Sequence, residues 1–351
     1  MPGPFQPANS QSPTLEFTMN HDTGRRGSFT ARGQNQPCKE TPMLIKNPPV
    51  AILDNLWMLG TNEYPLFLAK DGEAAAIFEG GVGAVGKLLR EQLDALGVAC
   101  DRVKQVAITH AHPDHVMAIP MFRALFPDVC VAASAVAAQT LAAEKAIAAF
   151  CDIDQALTGS LLKSGSIREE HRPAPLAEKQ IAVDRLLKEG DAINVGSLSF
   201  EVLETPGHSD CSLSFHEPTL GVLIVSDATG FYLPDEHDWW PCYFGDYGKY
   251  TASIRRLAEL GAEVLCLSHN ASIRGRDAVA AYFRDCLAAT EAYHQRICER
   301  VRAGVAVRQL AEELGNEVHA KAPLLPPVFF QKNCGILVKH SLRHENIAVD
   351  K

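Results

Sequence analysis

Short apolar runs dominate the chain from residue 50 onward, and turn-forming residues separate them. Each run is too short to be a helix by itself. The pair Asp71-Gly72, which precedes the fourth run, is a typical turn sequence. The pattern therefore predicts a meandering β-sheet at the start of the folded part. The four runs lie at residues 50–53, 56–59, 66–68 and 75–78.

Helical periodicity alternates with further apolar runs along the rest of the chain. Residues 85–93 carry apolar positions at the spacing of an amphipathic helix, and six later segments share that character. The alternation predicts an α/β fold that ends in helices. Further strands are predicted at residues 106–108, 198–203, 222–225 and 264–267. The later helices are predicted at residues 134–150, 153–163, 249–260, 276–302, 306–314 and 328–344.

Residues 1–42 differ from the rest of the chain in composition. They are rich in Pro, Gly, Ser, Asn and Gln and have almost no apolar periodicity, so we expect a disordered N-terminal extension. The first credible structured segment begins at Met43. The chain has neither the pattern of a signal peptide nor an apolar stretch long enough for a transmembrane helix, so no membrane association is expected.

The charge balance and the cysteines narrow the class of protein. The 351 residues include 33 basic and 42 acidic side chains, for a net charge of −9. This balance favours a small-molecule substrate, and no nucleic-acid partner is expected. The ten cysteines include no C-x-x-C pair, which is typical of reduced thiols in a cytoplasmic protein.

Residues 110–115 hold the densest group of metal-ligand side chains in the chain. They follow the apolar run 106–108, so they lie where a buried strand ends, and α/β proteins place their sites at such ends. Imidazole and carboxylate ligands suit zinc, iron or manganese, whereas the lack of thiolates argues against a structural zinc knuckle. The four side chains are those of His110, His112, Asp114 and His115.

Three further ligand residues each follow a strand-like run. His208 comes after the run 198–203, Asp227 after 222–225, and His269 after 264–267. One such residue is a weak signal by itself, because an acidic or imidazole side chain after a strand is common. The full set in this order, following the first motif, is a strong signal.

The pattern Thr109-His110-x-His112-x-Asp114-His115, followed by the three later residues, resembles the signature of the metallo-β-lactamase superfamily. The resemblance implies a four-layer αββα sandwich over residues 43–273 and a C-terminal helical region over residues 274–351. The long insertion after the first motif and the helices after the last ligand are similar to those of PqsE-like and glyoxalase II-like thioesterases. The ligand motifs are the specific part of the match, and acyl-lactone hydrolases share them.

The resemblance also implies a binuclear metal site, with zinc as the expected ion and iron or manganese as alternatives. A shared carboxylate offsets the repulsion between two cations about 3.5–4 Å apart. Asp227 is the implied bridge, and Asp114, which also orients the nucleophile, is the second implied catalytic residue. One ion is implied at His110, His112 and His208, and the other at Asp114, His115 and His269, with Asp227 shared.

The activity that the resemblance implies is hydrolysis of a thioester, or of a related acyl ester or lactone, by a metal-bridging hydroxide. Bound metals would supply the positive charge that stabilises a developing oxyanion, and a thiolate leaving group needs little protonation. Two alternatives remain open. Iron-dependent oxidoreductases of the persulfide dioxygenase type use the same ligands. The second alternative is a regulator that acts by binding a partner and retains a metal site. The C-terminal helices offer a surface for that partner or for a homodimer.

Several features near the motifs have two interpretations each. Glu79 either lies behind a metal ligand or is a helix-initiating carboxylate. Ser209 and Asp210 either orient a ligand imidazole or make local turn contacts. Cys211 is expected to pack behind the ligands, with a redox-sensitive thiol as the alternative. The aromatic stretch at residues 231–247 is either a lid or acyl pocket, or a plug that packs onto the core.

Overall fold

The computed structural model describes residues 43–348, so the disorder expected for residues 1–42 lies outside the described residues. The described chain contains sixteen strands and eight α-helices. The strands are β1 (Met43–Ile45), β2 (Val50–Leu53), β3 (Leu56–Gly60), β4 (Pro65–Asp71), β5 (Ala74–Phe78), β6 (Val103–Ala107), β7 (Cys130–Ser134), β8 (Arg185–Leu187), β9 (Ala192–Val195), β10 (Leu198–Glu204), β11 (Leu213–Glu217), β12 (Val222–Ser226), β13 (Phe231–Leu233), β14 (Asp238–Trp240), β15 (Val264–Leu267) and β16 (Ser272–Arg274). The helices are α1 (Val85–Ala95), α2 (Ile119–Leu125), α3 (Ala135–Leu141), α4 (Glu144–Ser164), α5 (Tyr247–Glu259), α6 (Arg276–Arg302), α7 (Val307–Lys321) and α8 (Pro327–His344).

The strands form two seven-stranded sheets and a separate hairpin of β13 and β14. The first sheet has the order β2-β3-β4-β5-β6-β7-β8, and its first four strands are the antiparallel meander that the sequence predicts. The second sheet has the order β1-β16-β15-β12-β11-β10-β9. Strands β5 to β8 run parallel to one another, and so do β12 and β15. The carboxyl ends of parallel neighbours lie at the same edge of a sheet.

The two sheets pack face to face, and helices cover their outer faces. Strand β4 illustrates this packing, because successive side chains of a strand point to opposite faces of the sheet. Leu66 and Leu68 belong to the apolar cluster shared with the helices, whereas Phe67 belongs to the cluster between the sheets. In that inner cluster the ring of Phe78 lies 4.6 Å from that of Phe200 across the sheets. The predicted αββα sandwich is confirmed.

The insertion after the first motif differs from its predicted helices. The sequence places a break near residue 151, but the structure places it at Ala142 and Ala143, and α4 then runs without interruption. Ala143 has an extended backbone, with φ −90° and ψ 107°, which separates the two helices. The apolar residues Phe150, Ile153 and Leu157 follow at helical spacing and share one face of α4.

The C-terminal helices lie close to their predicted positions. Helix α6 has the predicted bounds, and α8 begins one residue earlier than predicted. Helix α7 is longer than predicted, because it continues through Gly315 to Lys321. Gly315 packs against α8 so closely that a Cβ atom there would lie 2.4 Å from the Cα atom of Gln331. None of the helices in the described part of the chain is long and apolar enough to cross a membrane.

Candidate metal centre

A glycine-rich turn fixes the backbone behind the first motif. The amide of Gly80 donates a hydrogen bond of 2.9 Å to the carbonyl oxygen of His115. A Cβ atom at Gly80 would lie 2.5 Å from that oxygen, so the close approach requires glycine. On the other side, the amide of Leu213 in β11 donates to the carbonyl of Thr109 at 2.8 Å. The motif is therefore held between the two sheets.

Three imidazole rings meet at the first cluster of the site. The Nε2 atom of His208 lies 3.1 Å from Nε2 of His110 and 2.9 Å from Nδ1 of His112. The remaining pair, His110 Nε2 and His112 Nδ1, are 3.0 Å apart. Nitrogen ligands of one tetrahedral zinc ion stand about 3.3 Å apart for bonds of about 2.0–2.1 Å, so the three nitrogens converge as ligands of one ion would.

A second cluster lies beside the first, and Asp227 touches both. His115 Nε2 lies 3.4 Å from Oδ2 of Asp114, and His269 Nε2 lies 3.8 Å from the same oxygen. Asp227 approaches His208 through Oδ2, at 3.2 Å, and His269 through Oδ1, also at 3.2 Å. The structure thus brings all seven residues of the sequence motifs together in two adjacent groups.

The donor atoms of these groups fit metal ions. His110, His112, His208 and Asp227 form one group that can hold an ion, and Asp114, His115 and His269 form another. His115 Nε2 and Asp227 Oδ1 are buried without a hydrogen-bond partner in the described part of the chain. Buried polar atoms are rarely left unpaired, because each costs about 1–3 kcal/mol. Bound cations would satisfy both atoms.

Comparison with known families agrees with this geometry. The family model described as the metallo-beta-lactamase superfamily matches residues 65–269, which is more than half of the chain. The chain belongs to the metallo-β-lactamase superfamily. The match begins at the start of β4 and ends at His269, so it includes the motif-bearing strands of both sheets and all seven motif residues.

The similar curated members of the superfamily include hydrolases. A hydroxyacylglutathione hydrolase of Fuscovulum blasticum is 25% identical over 237 residues, which are 66% of this chain and 74% of that protein. A probable metallo-hydrolase of Burkholderia pseudomallei is 27% identical over 233 residues, or 62% and 70% of the two chains. The acyl-coenzyme A thioesterase MBLAC2 of Gallus gallus is 36% identical over 76 residues, or 22% and 26%.

Solved structures of the superfamily share the fold. A metallo-beta-lactamase family protein of Thermus thermophilus superposes with a TM-score of 0.56 at 22% identity, covering 84% of this chain and 95% of that one. A metallo-beta-lactamase of Cronobacter sakazakii superposes with a TM-score of 0.52 at 17% identity, covering 73% and 96%. At these identities the likeness concerns the fold alone.

Hydrogen bonds from outside the clusters orient the rings. His208 Nδ1 lies 2.8 Å from the carbonyl oxygen of Cys242, and His269 Nδ1 lies 2.6 Å from that of Glu63. A carbonyl oxygen only accepts, so each Nδ1 carries the proton and each Nε2 presents its lone pair to the cluster. His115 Nδ1 lies 2.9 Å from Oε2 of Glu79. Glu79 therefore lies behind a motif residue, which confirms the first of its two interpretations.

The structure excludes the first of the two interpretations given for Ser209 and Asp210. Neither side chain orients His208, because its Nδ1 atom contacts the Cys242 carbonyl instead. Ser209 Oγ instead lies 2.7 Å from the hydroxyl of Ser212, a local contact, and Asp210 is an exposed partner of Lys249. The sequence gives no signal for the carbonyls of Cys242 and Glu63, because every residue has a carbonyl and only the fold selects one.

Cys211 packs behind the first motif, as predicted. Its thiol is buried and accepts a hydrogen bond of 3.4 Å from the amide of Ala111, between the first two motif histidines. Its carbonyl accepts a hydrogen bond of 3.0 Å from the hydroxyl of Ser134, the residue that caps α3. The residue therefore links the two loops that carry His110 and His208.

The imidazoles of the first cluster are neutral. Burial lowers the pKa of His110 well below its usual value, and the neighbouring His115 and His112 lower it further. Burial and the nearby His208 lower the pKa of His112 to about 3. Burial also lowers the pKa of His208. Each ring thus presents a lone pair at neutral pH, which is the form that binds metal.

In the second cluster, charged neighbours outweigh burial in their effect on the pKa values. Burial by itself would lower the pKa of His115, but Asp114, Glu79 and Asp227 outweigh it and raise that pKa well above its usual value. Burial would raise the pKa of Asp114, but His115 and His269 outweigh it and hold that pKa at about 2. The same competition leaves the pKa of Asp227 well below its usual value. A cation bound here would displace a proton from His115.

A cavity of about 300 Å³ opens onto both clusters. The aromatic stretch contributes Phe231, Trp240 and Phe244 to its wall, as predicted for an acyl pocket. Trp239 of the same stretch is instead buried against Tyr232, at a ring distance of 4.7 Å. The segment is therefore both a wall and a plug, because side chains of the β13–β14 hairpin divide between the cavity and the core.

Proposed function

We propose that the protein is a metal-dependent hydrolase that cleaves a thioester, or a related acyl ester or lactone, at a binuclear metal site. The observation that carries the proposal is the position of Asp227. Its Oδ2 atom lies 3.2 Å from His208 Nε2 of the first cluster and 3.6 Å from His115 Nε2 of the second, and its Oδ1 atom lies 3.2 Å from His269 Nε2 of the second. A shared carboxylate between two ligand groups is what a two-metal hydrolytic site requires.

The proposed ligands are the seven residues of the sequence motifs. Divalent ions held there would polarise a carbonyl group and lower the pKa of water from 15.7 to about 7. Zinc is the proposed ion, since the set is dominated by imidazole, and iron or manganese would suit it as well. One ion is assigned to His110, His112 and His208, the other to Asp114, His115 and His269, and Asp227 to both.

The side chains of the protein have separate roles in this proposal. Asp114 faces the cavity with 23% of its side chain exposed and stays ionised, so it accepts a hydrogen bond from the attacking water and orients it. Tyr64 lines the same cavity and packs edge-on against His269 at a ring distance of 5.6 Å. Its phenol is neutral at pH 7 and adds a hydrogen-bond donor at the site.

The curated relatives support hydrolysis of acyl thioesters. Two relatives, a hydroxyacylglutathione hydrolase and an acyl-coenzyme A thioesterase, are named for the cleavage of an acyl group from a thiol. The substrate is therefore proposed to be a small molecule. A cytoplasmic location is also proposed, since all nine cysteines of the described residues are free thiols. A homodimer through the C-terminal helices stays a prediction.

The test is turnover by protein whose metal content has been measured. Acyl-CoA, acyl-glutathione and acyl-lactone substrates form the panel, and we expect thioester cleavage in proportion to bound metal. Asp227→Asn should reduce kcat/KM by at least about 100-fold, since the bridge loses its charge. Asp210→Asn is the matched control, because Asp210 is exposed and pairs with Lys249 away from the clusters; its activity should be unchanged.

Other outcomes would separate the alternatives. Oxygen consumption with a persulfide substrate by protein that holds a single iron would replace the hydrolase with a dioxygenase. Full biological activity of a metal-free His112→Ala and Asp114→Ala double variant would instead indicate a regulator that acts by binding a partner. Equal activity of the Asp227→Asn variant and the unmodified protein would refute the binuclear site.

A further inference from the structure

We propose that the cavity is a binding site for an uncharged, apolar acyl group and that residues between α7 and α8 set the size of group it accepts. This inference rests on the proposed hydrolysis and names its substrate class. The cavity of about 300 Å³ is at the small end of ligand pockets, which span about 300–1,000 Å³. It therefore suits a short aliphatic or an aryl group.

One wall of the cavity comes from the insertion after the first motif. Phe150, Ile153 and Leu157 lie on one face of α4 and all line the cavity. Asp154 and Thr158, which alternate with them, face away toward a different cavity. The helix therefore presents only its apolar stripe to the clusters.

The opposite wall comes from the C-terminal helices and the turn between them. Leu324, Leu325, Phe329 and Phe330 line the cavity from this side. The ring of Phe330 lies 5.5 Å from that of Trp240, so the C-terminal wall and the aromatic hairpin are continuous. These residues follow the last motif residue by more than fifty positions, and the fold returns them to the clusters.

The lining away from the clusters offers no counter-charge to an ionised acyl group. No lysine or arginine of the described residues lines the cavity, and its acidic side chains are Asp114 and Asp227 of the metal clusters. Away from the clusters, Asn333 is the one residue with a side-chain amide, and its Nδ2 donates to the carbonyl of Phe329 at 3.0 Å. A carboxylate on the acyl group would lose its hydration without gaining a counter-charge.

The rim of the cavity indicates where the thiol part would lie. Ile336 of α8 lines the cavity and is 37% exposed, so the opening lies beside it. A large polar thiol such as glutathione or coenzyme A finds no charged partner inside. We therefore place the acyl group in the cavity and the thiol part at the opening, in water.

The first experiment compares acyl groups on one small neutral thiol, N-acetylcysteamine. We expect kcat/KM for hexanoyl or benzoyl thioesters to exceed that for lactoyl or succinyl thioesters by about 100-fold, the discrimination that an apolar pocket achieves against an added hydroxyl. Binding of the free acids to metal-loaded protein, in which the carboxylate would lie at the clusters and the acyl chain in the cavity, gives a readout independent of turnover. It is followed by the intrinsic tryptophan fluorescence, to which Trp240 of the cavity wall contributes. Hexanoate and benzoate should change the emission, and lactate and succinate should not.

Two variants test the wall formed between α7 and α8. Leu324→Trp narrows the cavity and should lower kcat/KM for the longest accepted acyl chain about 10-fold more than for acetyl. Val328→Trp is the matched control, because Val328 lies at the start of α8 beside the same turn, is 53% exposed and does not line the cavity. The control should keep the chain-length preference of the unmodified protein.

The outcomes separate this inference from the proposed function. Equal cleavage of lactoyl and hexanoyl thioesters, or an unchanged preference in Leu324→Trp, would overturn the apolar site while leaving the hydrolase intact. If metal-loaded protein cleaves none of the substrates, the proposed hydrolase activity is overturned. In that case selective binding of hexanoate and benzoate would still support the apolar site, and the absence of that selectivity would overturn it as well.

Discussion

At the scale of single residues, Glu79 is a carboxylate outside the proposed ligand set that holds the imidazole of His115, one of the proposed ligands. Its Oε2 atom accepts from His115 Nδ1 at 2.9 Å, and its carboxylate accepts from the hydroxyl of Thr109, also at 2.9 Å. We predict that Glu79→Gln weakens binding of a metal ion by about 10–100-fold, because the amide holds the His115 ring less firmly and makes it less basic. Competition between the protein and a chromogenic chelator measures this affinity.

Glu73→Gln is the control for that experiment. Glu73 is an exposed glutamate of the same region, and it pairs with Arg102 away from the clusters. Its substitution should leave the metal affinity unchanged. If Glu79→Gln also binds metal with the affinity of the unmodified protein, Glu79 is a structural residue, and the orientation of His115 depends on its packing alone.

Asp154 gives a prediction about pH. Burial raises its pKa to about 6, although the amide of Gly83 donates to it at 2.7 Å and lowers that pKa in part. The folded protein therefore holds this proton more tightly than the unfolded chain. Stability from the proton is complete below pH about 4 and is lost as pH rises through about 6, by up to about 3 kcal/mol. Asp154→Asn should remove this loss, because the amide oxygen still accepts from Gly83.

The measurement is urea unfolding of metal-free protein at pH 4 and at pH 7.5. Asp154→Asn should be more stable than the unmodified protein at pH 7.5 and nearly equal to it at pH 4. Asp152→Asn, on the exposed face of the same helix, is the control and should show no such difference. A constant offset between Asp154→Asn and the unmodified protein at both pH values would mean that the carboxyl does not titrate in this range.

The sequence predicted the side chains at the site better than the contacts behind them. His208, Asp227 and His269 could be found because an imidazole or carboxylate side chain directly after an apolar, strand-like run can be recognised in the sequence. The carbonyls of Glu63 and Cys242 cannot be recognised in this way, since they depend on how loops 206 and 34 residues away from their histidines fold back. Tyr64 was missed for a similar reason, because a tyrosine next to a strand is ordinary until its neighbours are known.

At the scale of elements, the contact between α7 and α8 depends on one glycine. A Cβ atom at Gly315 would lie 2.4 Å from backbone atoms of Gln331, which cannot move aside as a flexible side chain can. We predict that Gly315→Ala lowers the free energy of unfolding by about 1–3 kcal/mol, because overpacking outweighs the better helix propensity of alanine. Urea unfolding measures the change.

Gly159→Ala is the matched substitution in another helix. Gly159 is exposed on α4, and a Cβ atom there would meet no atom within 4 Å. This variant should gain about 0.5–1 kcal/mol, since alanine favours a helix where nothing opposes it. Similar stability changes in the two variants would mean that α7 and α8 can separate without cost.

Element boundaries were predictable where amphipathic periodicity is uninterrupted. Helix α6 spans 27 residues, and its apolar stripe marks both ends. The alanine-rich insertion was harder, because alanine fits a buried or an exposed face equally well and hides the break at Ala142 and Ala143. The length of α7 was missed because Gly315 favours a helix end locally, whereas contact with α8 keeps the helix intact.

At the scale of the whole molecule, the candidate metal centre joins the two sheets. Residues 110–115 follow β6 of the first sheet, whereas His208, Asp227 and His269 follow strands of the second. Each cluster therefore contains residues that follow strands of both sheets. A cation bound to either cluster would therefore stabilise the folded state by linking layers that otherwise meet through apolar packing between the sheets.

Removal of metal should consequently lower the melting temperature. With free metal at about 1,000 times its Kd, a ligand that binds only the folded state contributes about 4 kcal/mol, which corresponds to roughly 5–10 °C in a chain of this size. Calorimetry of metal-quantified protein with and without a chelator measures the shift. The melting temperature of Asp227→Asn purified without metal should not respond to the chelator, because there is no bound metal to remove. If the chelator strips the metal and the melting temperature stays constant, the ions do not hold the sheets together, and the apolar layer alone accounts for their association.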